Sequence, residues 1–407
     1  MAQSDSAGSN GGLLSLAALP VFSVFFLWGF GTGALWMVRP LYAYSFGGSI
    51  FLVGLVSAFS AAPRMFGAPF AGVLADRIGR RPVVAAGAIL HGGALAAQAY
   101  TTSYPPFLAL ELISGFGVAV WVTGSSVLLA DFTRVANRGR GVALRNTSMR
   151  IGILAGPAAG GLVAELFDLA SVFLFIAATK VVIVVIVILL IKETRSPSEA
   201  PTVQPAAPGR RARLLPDLSV FRTRDFMALG MITLALGLVT QGPGAFRTFF
   251  PVQAEAAGLS ITVVGNLISA SGVAAMLVAL PVGALVDWRG RKPMLVVGLL
   301  VIGLSLFLVA GMTGLMIALA AAVAFGVGEA VGSNTVQTYA MDLAPVERRG
   351  YFLGTWQATM NLGQLIGPLV VGALAVPFGI PVAFVVIGGV ILAAGVATAF
   401  LGREAVA

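Results

Sequence analysis

Residues 72–82 read GVLADRIGRRP, and residues 283–293 read GALVDWRGRKP. The two stretches align without a gap at an offset of 211 residues, so that Asp76 corresponds to Asp287 and Arg80 corresponds to Arg291. Hydrophobic composition alone cannot produce matched Asp, Arg and Pro residues at one fixed offset. We therefore predict that the chain contains two copies of one structural unit.

The same offset matches residues far outside these two stretches. It pairs Gly47 with Gly258, Gly117 with Gly328 and Pro157 with Pro368, among others. The matches run from Gly31 to Gly161 in the first copy. The duplicated unit is therefore predicted to extend over nearly half of the chain.

The composition is that of a membrane protein. Of 407 residues, 58% are hydrophobic and 10% are charged, and the mean hydropathy is +0.96. A soluble domain of this length needs far more charge to cover its surface, and a bilayer-spanning helix needs about 20 apolar residues. We predict twelve spans, six in each copy, at residues 15–38, 50–73, 82–100, 107–130, 142–164, 170–191, 226–250, 261–286, 293–311, 314–340, 352–375 and 381–401.

These spans predict an all-α membrane protein built from two pseudo-symmetric six-helix bundles. Because six is an even number, both copies insert the same way round, and an axis along the membrane normal relates them. The predicted organisation is a tail at 1–14, a bundle at 15–191, a linker at 192–225, a second bundle at 226–402 and a tail at 403–407. The first apolar run is read as a retained span, because no basic region precedes it.

Basic residues set the orientation. On our assignment, 21 of the 25 Lys and Arg residues lie on one side, in the stretches that follow the even-numbered spans. The positive-inside rule places both termini in the cytoplasm of a multi-pass inner-membrane protein. The net charge of +9 is therefore interpreted as membrane orientation and contact with anionic lipid headgroups, not as nucleic-acid binding.

Several kinds of chemistry are excluded. The chain has no cysteine, so disulfides and thiolate metal sites are excluded. With one histidine, we expect neither a Ser–His–Asp triad nor a metal cluster. It also has no Gly-x-x-x-x-Gly-Lys-Ser/Thr loop for nucleotide phosphates. We expect no enzymatic activity, no metal and no cofactor, and an ion gradient as the energy source.

The stretch at 72–82 resembles the loop 2–3 signature of the major facilitator superfamily, and the stretch at 283–293 is its echo in the second copy. The resemblance covers essentially the whole chain. It implies alternating access to a central cavity, a small-molecule substrate and a monomer. It also implies a cytoplasmic gate, in which Asp76 faces a helix N-terminus of the other half. The predicted gate residues are Gly72, Asp76, Arg77, Gly79, Arg80, Arg81, Asp131, Arg134, Asp287, Gly290 and Arg291; the alternative is that they only enforce topology.

Residues 152–161 read GILAGPAAGG, in the fifth span. They resemble the Gly-Pro motif that this family associates with antiporters and drug efflux. The motif residues are Gly152, Gly156, Pro157, Gly160 and Gly161. Gly152, Gly156 and Gly160 share one helical face, which allows close packing, and Pro157 allows a bend. The alternative is ordinary packing between the halves. One departure is clear: many efflux members carry an Arg four residues before a Gly-x-Gly in the fourth span, where this chain has Glu111.

Ionisable groups inside spans are costly and are functional candidates by default. Glu329 and Glu111 are the candidates for proton coupling, and we expect Glu111 to be partly solvated. Arg39 and Arg247 are expected to bind an anionic substrate, to pair with these acids or to snorkel to the outer surface; snorkelling is favoured for Arg39. Lys180 and His91 are interpreted as structural. The family resemblance implies a cavity lined by spans 1, 4, 7 and 10, with Thr32, Trp36, Ser125, Gln241, Asn334, Gln337, Gln357 and Asn361 as polar or aromatic lining.

The leading functional hypothesis is secondary active efflux of a small amphipathic compound, coupled to inward proton flow. Its partners would be the substrate, protons and membrane lipids. The alternatives are uptake or uniport of an organic anion or other small metabolite, and lipid flipping without net solute transport.

Overall fold

The computed structural model describes residues 19–132, 138–191, 224–240, 242, 244–344 and 349–401. Every regular element in these ranges is an α-helix. The helices are α1 (Leu19–Ser45), α2 (Ile50–Ile78), α3 (Arg80–Gln98), α4 (Tyr104–Phe132), α5 (Arg138–Leu166), α6 (Leu169–Leu190), α7 (Arg224–Val239), α8 (Ala245–Ala256), α9 (Ile261–Arg289), α10 (Arg291–Ala310), α11 (Leu315–Leu343) and α12 (Arg349–Leu401). We call α1–α6 the N-terminal half and α7–α12 the C-terminal half.

Within the described ranges, eight helices are long and apolar enough to cross a membrane, and two shorter apolar segments lie at Ile50–Arg64 and Leu229–Val239. The prediction of an all-helical membrane protein is confirmed. The count of twelve stays a prediction, because the seventh predicted span is divided between α7 and α8. The eleventh and twelfth predicted spans form the single element α12, which contains a non-helical Gly379 with a φ of 82°. The predicted tails and most of the linker lie outside the described residues.

The two signature stretches form the same local structure. Helix α2 ends at Gly79, with φ 100° and ψ 165°, and α9 ends at Gly290, with φ 91° and ψ 168°. Each glycine donates its backbone N–H to the carbonyl four residues earlier. Only glycine adopts such a positive φ without strain. The sequence repeat therefore makes the same sharp turn twice, between α2 and α3 and between α9 and α10.

The repeat also reappears in the packing within each half. A Cβ atom on Gly115 of α4 would collide with the Ser60 carbonyl of α2, and one on Gly326 of α11 would collide with the Ser271 carbonyl of α9. These two pairs are equivalent at the offset of 211 residues. The same helix pairs therefore approach each other at the same point in both halves. The bundle boundaries themselves stay predictions.

Contacts between the halves lie away from the two turns. A Cβ atom on Gly54 of α2 would collide with the Pro368 carbonyl of α12, and one on the equivalent Gly265 of α9 would collide with the Pro157 carbonyl of α5. Further along the same side, the backbone N–H of Thr262 donates to Glu165 Oε2 at 3.2 Å. We call this side of the helices the far side, and the side that carries Gly79 and Gly290 the turn side.

On the turn side, the helices leave more space beside them than they do on the far side. A Cβ atom on Gly72, Gly283 or Gly354 would meet no atom of the described residues within 4 Å. All three glycines lie towards the turn-side ends of α2, α9 and α12. The halves therefore touch on the far side, and the predicted gate residue Gly72 has open space beside it.

The glycines of the 152–161 motif pack closely, as predicted, but on an unexpected partner. Cβ atoms on Gly152 and Gly156 would collide with the carbonyls of Phe26 and Phe30 on α1. Helix α1 belongs to the same half, so the interpretation of these glycines as packing between the halves is wrong. The motif meets the other half instead through Pro157 and Gly161, which lie against α9. The bend at Pro157 stays a prediction.

Candidate functional site

A cavity of 370 Å³ lies between the two halves. Its wall is formed by α1 and α5 from the N-terminal half, and by α7, α8, α9 and α11 from the C-terminal half. Helix α4, expected from the family resemblance to line the cavity, supplies none of the lining residues. The lining residues are Trp36, Arg150, Ile153, Leu154, Thr240, Gly242, Arg247, Gly272, Ala275, Met276, Glu329, Ala330, Ser333 and Asn334.

An ion pair between α8 and α11 forms part of this wall. Nη2 of Arg247 lies 2.8 Å from Oε1 and 2.7 Å from Oε2 of Glu329. Nη1 of Arg247 donates to the carbonyl of Thr240, at the end of α7. The two side chains are 11% and 20% exposed. Pairing was one of the alternatives for Arg247, and the structure selects it; the pair remains within reach of a ligand in the cavity.

The same guanidinium reaches the other half. Its central carbon lies 4.3 Å from the centre of the Trp36 ring on α1 and 5.7 Å from the Phe325 ring on α11. A guanidinium over an aromatic face gains about 0.5–2 kcal/mol, more where water is excluded. Arg247 therefore joins Glu329 of the C-terminal half to Trp36 of the N-terminal half.

A second ion pair is buried inside the N-terminal half. Nε of Arg39 lies 2.7 Å from Oε1 of Glu111, and the side chains are 6% and 0% exposed. Gln98 donates to the same carboxylate oxygen at 2.9 Å. The favoured expectation that Arg39 snorkels is wrong, because it is buried against an acid, and so is the expectation that Glu111 is partly solvated. Glu111 does not line the central cavity.

A smaller cavity of 80 Å³ lies between α2 and α12, lined by Ala61, Arg64, Asn361 and Gln364. It adjoins the central cavity, because a Cβ atom on Gly242 would collide with the side-chain amide of Gln364, and Gly242 lines the central cavity. The predicted cavity residue Asn361 thus lies in this smaller cavity.

The other predicted lining residues are dispersed. Trp36 and Asn334 line the central cavity. Thr32 and Ser125 donate to carbonyls of their own helices, and neither lines either cavity. Gln337 and Gln357 are exposed and also lie outside both linings. Gln241 lies outside the described residues.

The structure describes some of the predicted gate residues and not others. Arg291 Nε lies 3.0 Å from Asp342 Oδ2, and these positions are equivalent to Arg80 and Asp131 at the offset of 211 residues. Arg81 donates to the carbonyl of Ile188 on α6. The side chains of Asp76, Asp131, Arg134 and Asp287 lie outside the described part of the chain, so their gate roles stay predictions.

The sequence analysis missed Arg150, Ser333 and Thr240 as lining residues. Arg150 lies inside the predicted fifth span, 142–164, but it was counted only among the basic residues that set the orientation; it lies within α5 and lines the central cavity. The repeat offered a signal for it, because Arg150 is equivalent to Asn361, which was predicted as lining.

Lys180 and His91 lie apart from both cavities. Lys180 is 1% exposed, with Nζ 4.3 Å from the centre of the Trp28 ring. Nδ1 of His91 lies 2.9 Å from the Ser114 hydroxyl. Both side chains are therefore enclosed by helices of the N-terminal half. Over the described ranges, no three His, Asp or Glu side chains come together to hold a metal ion.

Comparison with known proteins gives a consistent picture. A family model described as Major Facilitator Superfamily matches residues 21–255 and 232–406. An uncharacterised transporter of this type from Methanocaldococcus jannaschii is 20% identical over 350 residues, 86% of this chain and 89% of that protein. A multi-drug resistance efflux pump PmrA homologue from Lactococcus lactis is 26% identical over 345 residues, 83% of this chain and 82% of that protein.

Among solved structures, a bacterial homologue of the human lysosomal transporter Spinster, in an inward-facing and occupied conformation, superposes with a TM-score of 0.79. It is 14% identical, and the match covers 98% of each chain. An identity this low is evidence for the fold and for nothing finer.

Proposed function

Because the chain belongs to the Major Facilitator Superfamily, we propose that it is a secondary active transporter that exports a small amphipathic compound in exchange for protons. The chain is a membrane transporter of this family and not an enzyme. The proposal concerns the substrate, the direction and the coupling ion.

The Arg247–Glu329 pair in the wall of the cavity carries the proposal. A carboxylate in this position attracts the guanidinium, and a protonated carboxyl group loses most of that attraction. Proton binding to Glu329 would therefore loosen Arg247 from α11. Since Arg247 also contacts Trp36 of the other half, the loosening would change a contact between the halves. The proton would in this way bias which side of the transporter is open.

The shape of the cavity supports an amphipathic substrate. Apolar side chains from three helices line it, including Leu154, Met276 and Ile153, and the polar side chains in its wall are those of Arg150, Thr240, Arg247, Glu329, Ser333 and Asn334. Cavities of this kind bury the apolar body of a ligand and orient it with a small number of polar contacts. The description of the Lactococcus relative as a multi-drug efflux pump supports the same substrate class.

Export is supported by the orientation that we propose for the chain. If the basic loops face the cytoplasm, the turn side is cytoplasmic and the far side, where the halves touch, is external. The cavity is then open towards the cytoplasm, where a compound enters for export. We further propose an inner-membrane location with both termini cytoplasmic, direct contact with lipids and a monomer.

The test is proton flux in proteoliposomes that contain the purified protein, followed with a pH-sensitive dye while lipophilic cations and organic anions are added in turn. The proposal predicts that amphipathic cations or neutral compounds drive proton movement in the wild type. The flux should fall at least about tenfold in Glu329→Gln, which removes the proton site but keeps the shape. A flux that persists in Glu329→Gln would overturn the proposed role of this residue.

A second candidate is transport of an organic anion. It is favoured by the charges of the central cavity, where two guanidinium groups, Arg150 and Arg247, face one carboxylate, Glu329. In the same assay this candidate predicts proton movement driven by organic anions only, and its loss in Arg150→Gln. A single substitution of Arg247 or Glu329 leaves its partner charge unpaired. Loss of transport in such a variant could therefore follow under either candidate function and would not distinguish them.

A further inference from the structure

The smaller cavity between α2 and α12 is rich in hydrogen-bond donors. Arg64 brings a guanidinium, and Asn361 and Gln364 bring side-chain amides, while the remaining lining residue is Ala61. No acid lines it. At 80 Å³ it has room for a small ion or for one functional group of a larger molecule. The arrangement is that of a site for negative charge.

The charge of Arg64 needs a partner. Its Nε is buried and has no hydrogen-bond partner among the described residues. Glu111 attracts Arg64, but Arg39 lies close enough to repel it. Arg39 at 2.7 Å and Gln98 at 2.9 Å both bind Oε1 of Glu111, and Oε2 has no hydrogen-bond partner among the described residues. Arg39 thus forms the ion pair with Glu111 and Arg64 does not, although buried charges inside the membrane are normally paired.

The amide of Asn361 is oriented for donation. Gln357 Nε2 donates to Oδ1 of Asn361 at 3.3 Å. That contact occupies the carbonyl end of the Asn361 amide and leaves its NH₂ group for the cavity. The cavity therefore offers N–H donors from α2 and from α12, on opposite sides of the interface between the halves.

The internal repeat gives this cavity a counterpart. Residues Ala61, Arg64, Asn361 and Gln364 are equivalent, at the offset of 211 residues, to Gly272, Ala275, Arg150 and Ile153. All four of the counterparts line the central cavity between α5 and α9. Each of the two interfaces between the halves therefore carries one arginine, supplied by α2 in one case and by α5 in the other. The position at α2 is the more enclosed of the two, because Arg64 is half-buried and Arg150 is exposed.

We propose that Arg64, Asn361 and Gln364 bind a small monovalent anionic group that links α2 to α12 beside the central cavity. The group is either a free inorganic anion or the carboxylate of a molecule whose body extends past Gly242 into the central cavity. The inference rests on the proposed function, because it adds a subsite to the proposed transport cavity. Its test measures binding and needs no transport.

The experiment is thermal unfolding of the purified protein in a neutral detergent, in sodium chloride, nitrate, benzoate or gluconate at fixed pH and ionic strength. A ligand that binds only the folded state raises Tm. Gluconate is the reference, because it is too large for the smaller cavity and its hydroxylated chain does not suit the apolar wall of the central cavity. We expect a rise in Tm of about 2–4 °C over gluconate with at least one of chloride, nitrate and benzoate. A rise with chloride and nitrate identifies a free anion, and a rise with benzoate alone identifies the carboxylate of an organic molecule.

Two variants make the test specific. Gln364→Glu places a fixed carboxylate beside Arg64, so it should raise Tm in gluconate and abolish the further rise with small anions. Gln337→Glu makes the same chemical change at an exposed glutamine outside both cavities, and it should keep the anion response. Arg64→Gln should also lose the response, but Gln364→Glu remains decisive if that variant folds poorly.

The proposal is overturned if no small anion raises the Tm of the wild type, or if Gln364→Glu responds as the wild type does. Glu329→Gln should keep the anion response, because Glu329 lies outside the smaller cavity. If small anions raise the Tm of the wild type but no compound drives proton flux, the proposed function is refuted and the anion site is retained.

Discussion

Trp36 and Arg247 occupy equivalent positions in the two repeats, 211 residues apart, and they contact each other across the interface between the halves. The central carbon of the guanidinium lies 4.3 Å from the centre of the indole ring. This position is an aromatic residue, Trp36, in the first copy and a basic residue, Arg247, in the second. The contact between the halves at this point therefore depends on the guanidinium charge, and the carboxylate of Glu329 binds the same guanidinium and holds it in place.

Removing the aromatic ring should loosen the far side. Trp36→Leu loses a cation–π contact worth about 0.5–2 kcal/mol, which corresponds to a shift of about 2- to 30-fold towards the outward-open state. Trp36→Phe keeps an aromatic face and is the matched control. The chain has no cysteine, so Ser57→Cys introduces a unique thiol at a contact between the halves, where Ser57 Oγ lies 2.9 Å from Thr248 Oγ1. Faster maleimide labelling of that thiol in Trp36→Leu than in Trp36→Phe is expected; equal rates would mean that the ring does not hold the far side closed.

Arg247 and Glu329 should be energetically coupled. Each single substitution, Arg247→Gln or Glu329→Gln, leaves a partly buried charge without its partner and should cost about 1–3 kcal/mol of stability. The double variant removes both charges and should recover a large part of that loss. Tm values of the wild type, both single variants and the double variant give the coupling energy directly. A double variant as unstable as the sum of the two single variants would show that the pair is not coupled.

Glu111 should behave differently from Glu329. It is fully buried and held by Arg39 and Gln98, so Glu111→Gln leaves the Arg39 charge buried alone at a cost of about 3–5 kcal/mol. Proton flux per folded molecule should stay within about twofold of the wild type, because Glu111 lines neither the central nor the smaller cavity.

The control for that prediction is Arg39→Gln combined with Glu111→Gln, which should restore much of the lost stability. Proton flux that disappears in well-folded Glu111→Gln would instead place this carboxyl group on the proton path.

The close packing of α5 on α1 should be sensitive to a single methyl group. A Cβ atom on Gly156 would collide with the backbone carbonyl of Phe30, which cannot move as a side chain can. Gly156→Ala should therefore lower stability by about 1–3 kcal/mol. Gly283→Ala adds the same methyl group towards the turn-side end of α9, where no described atom lies within 4 Å, and it should leave Tm unchanged or slightly raised. Equal Tm values for the two variants would contradict the packing.

The fold was largely predictable from the sequence because its signals are strong and repeated. Apolar runs of helical length give the spans, and matched residues such as Asp76 and Asp287 give the duplication. The break between α7 and α8 was not predicted. It occurs near Gly242, where φ is 49°. Residues 240–244 read TQGPG, a run of turn-forming residues that signals such a break, but the apolar runs on both sides were joined into one span.

The site was less predictable, because a sequence gives the depth of a residue in a span but not the direction in which its side chain points. Glu111 and Glu329 both lie within apolar spans, yet one is enclosed by α1 and α3 and the other faces the cavity. Arg150 was counted only for its charge although it lies inside the predicted fifth span, well within α5 (Arg138–Leu166). Its equivalence to Asn361 becomes informative only when both positions are found at the interfaces between the halves.

The central claim is that Glu329 couples proton movement to transport through its bond with Arg247. The most direct measurement compares two activities of Glu329→Gln in proteoliposomes, using a compound that drives proton flux in the wild type. The first activity is accumulation driven by a pH gradient, and the second is exchange of labelled for unlabelled compound without a gradient. The account predicts that accumulation falls at least about tenfold while exchange remains within about threefold of the wild type. Loss of both activities, or retention of both, would contradict it.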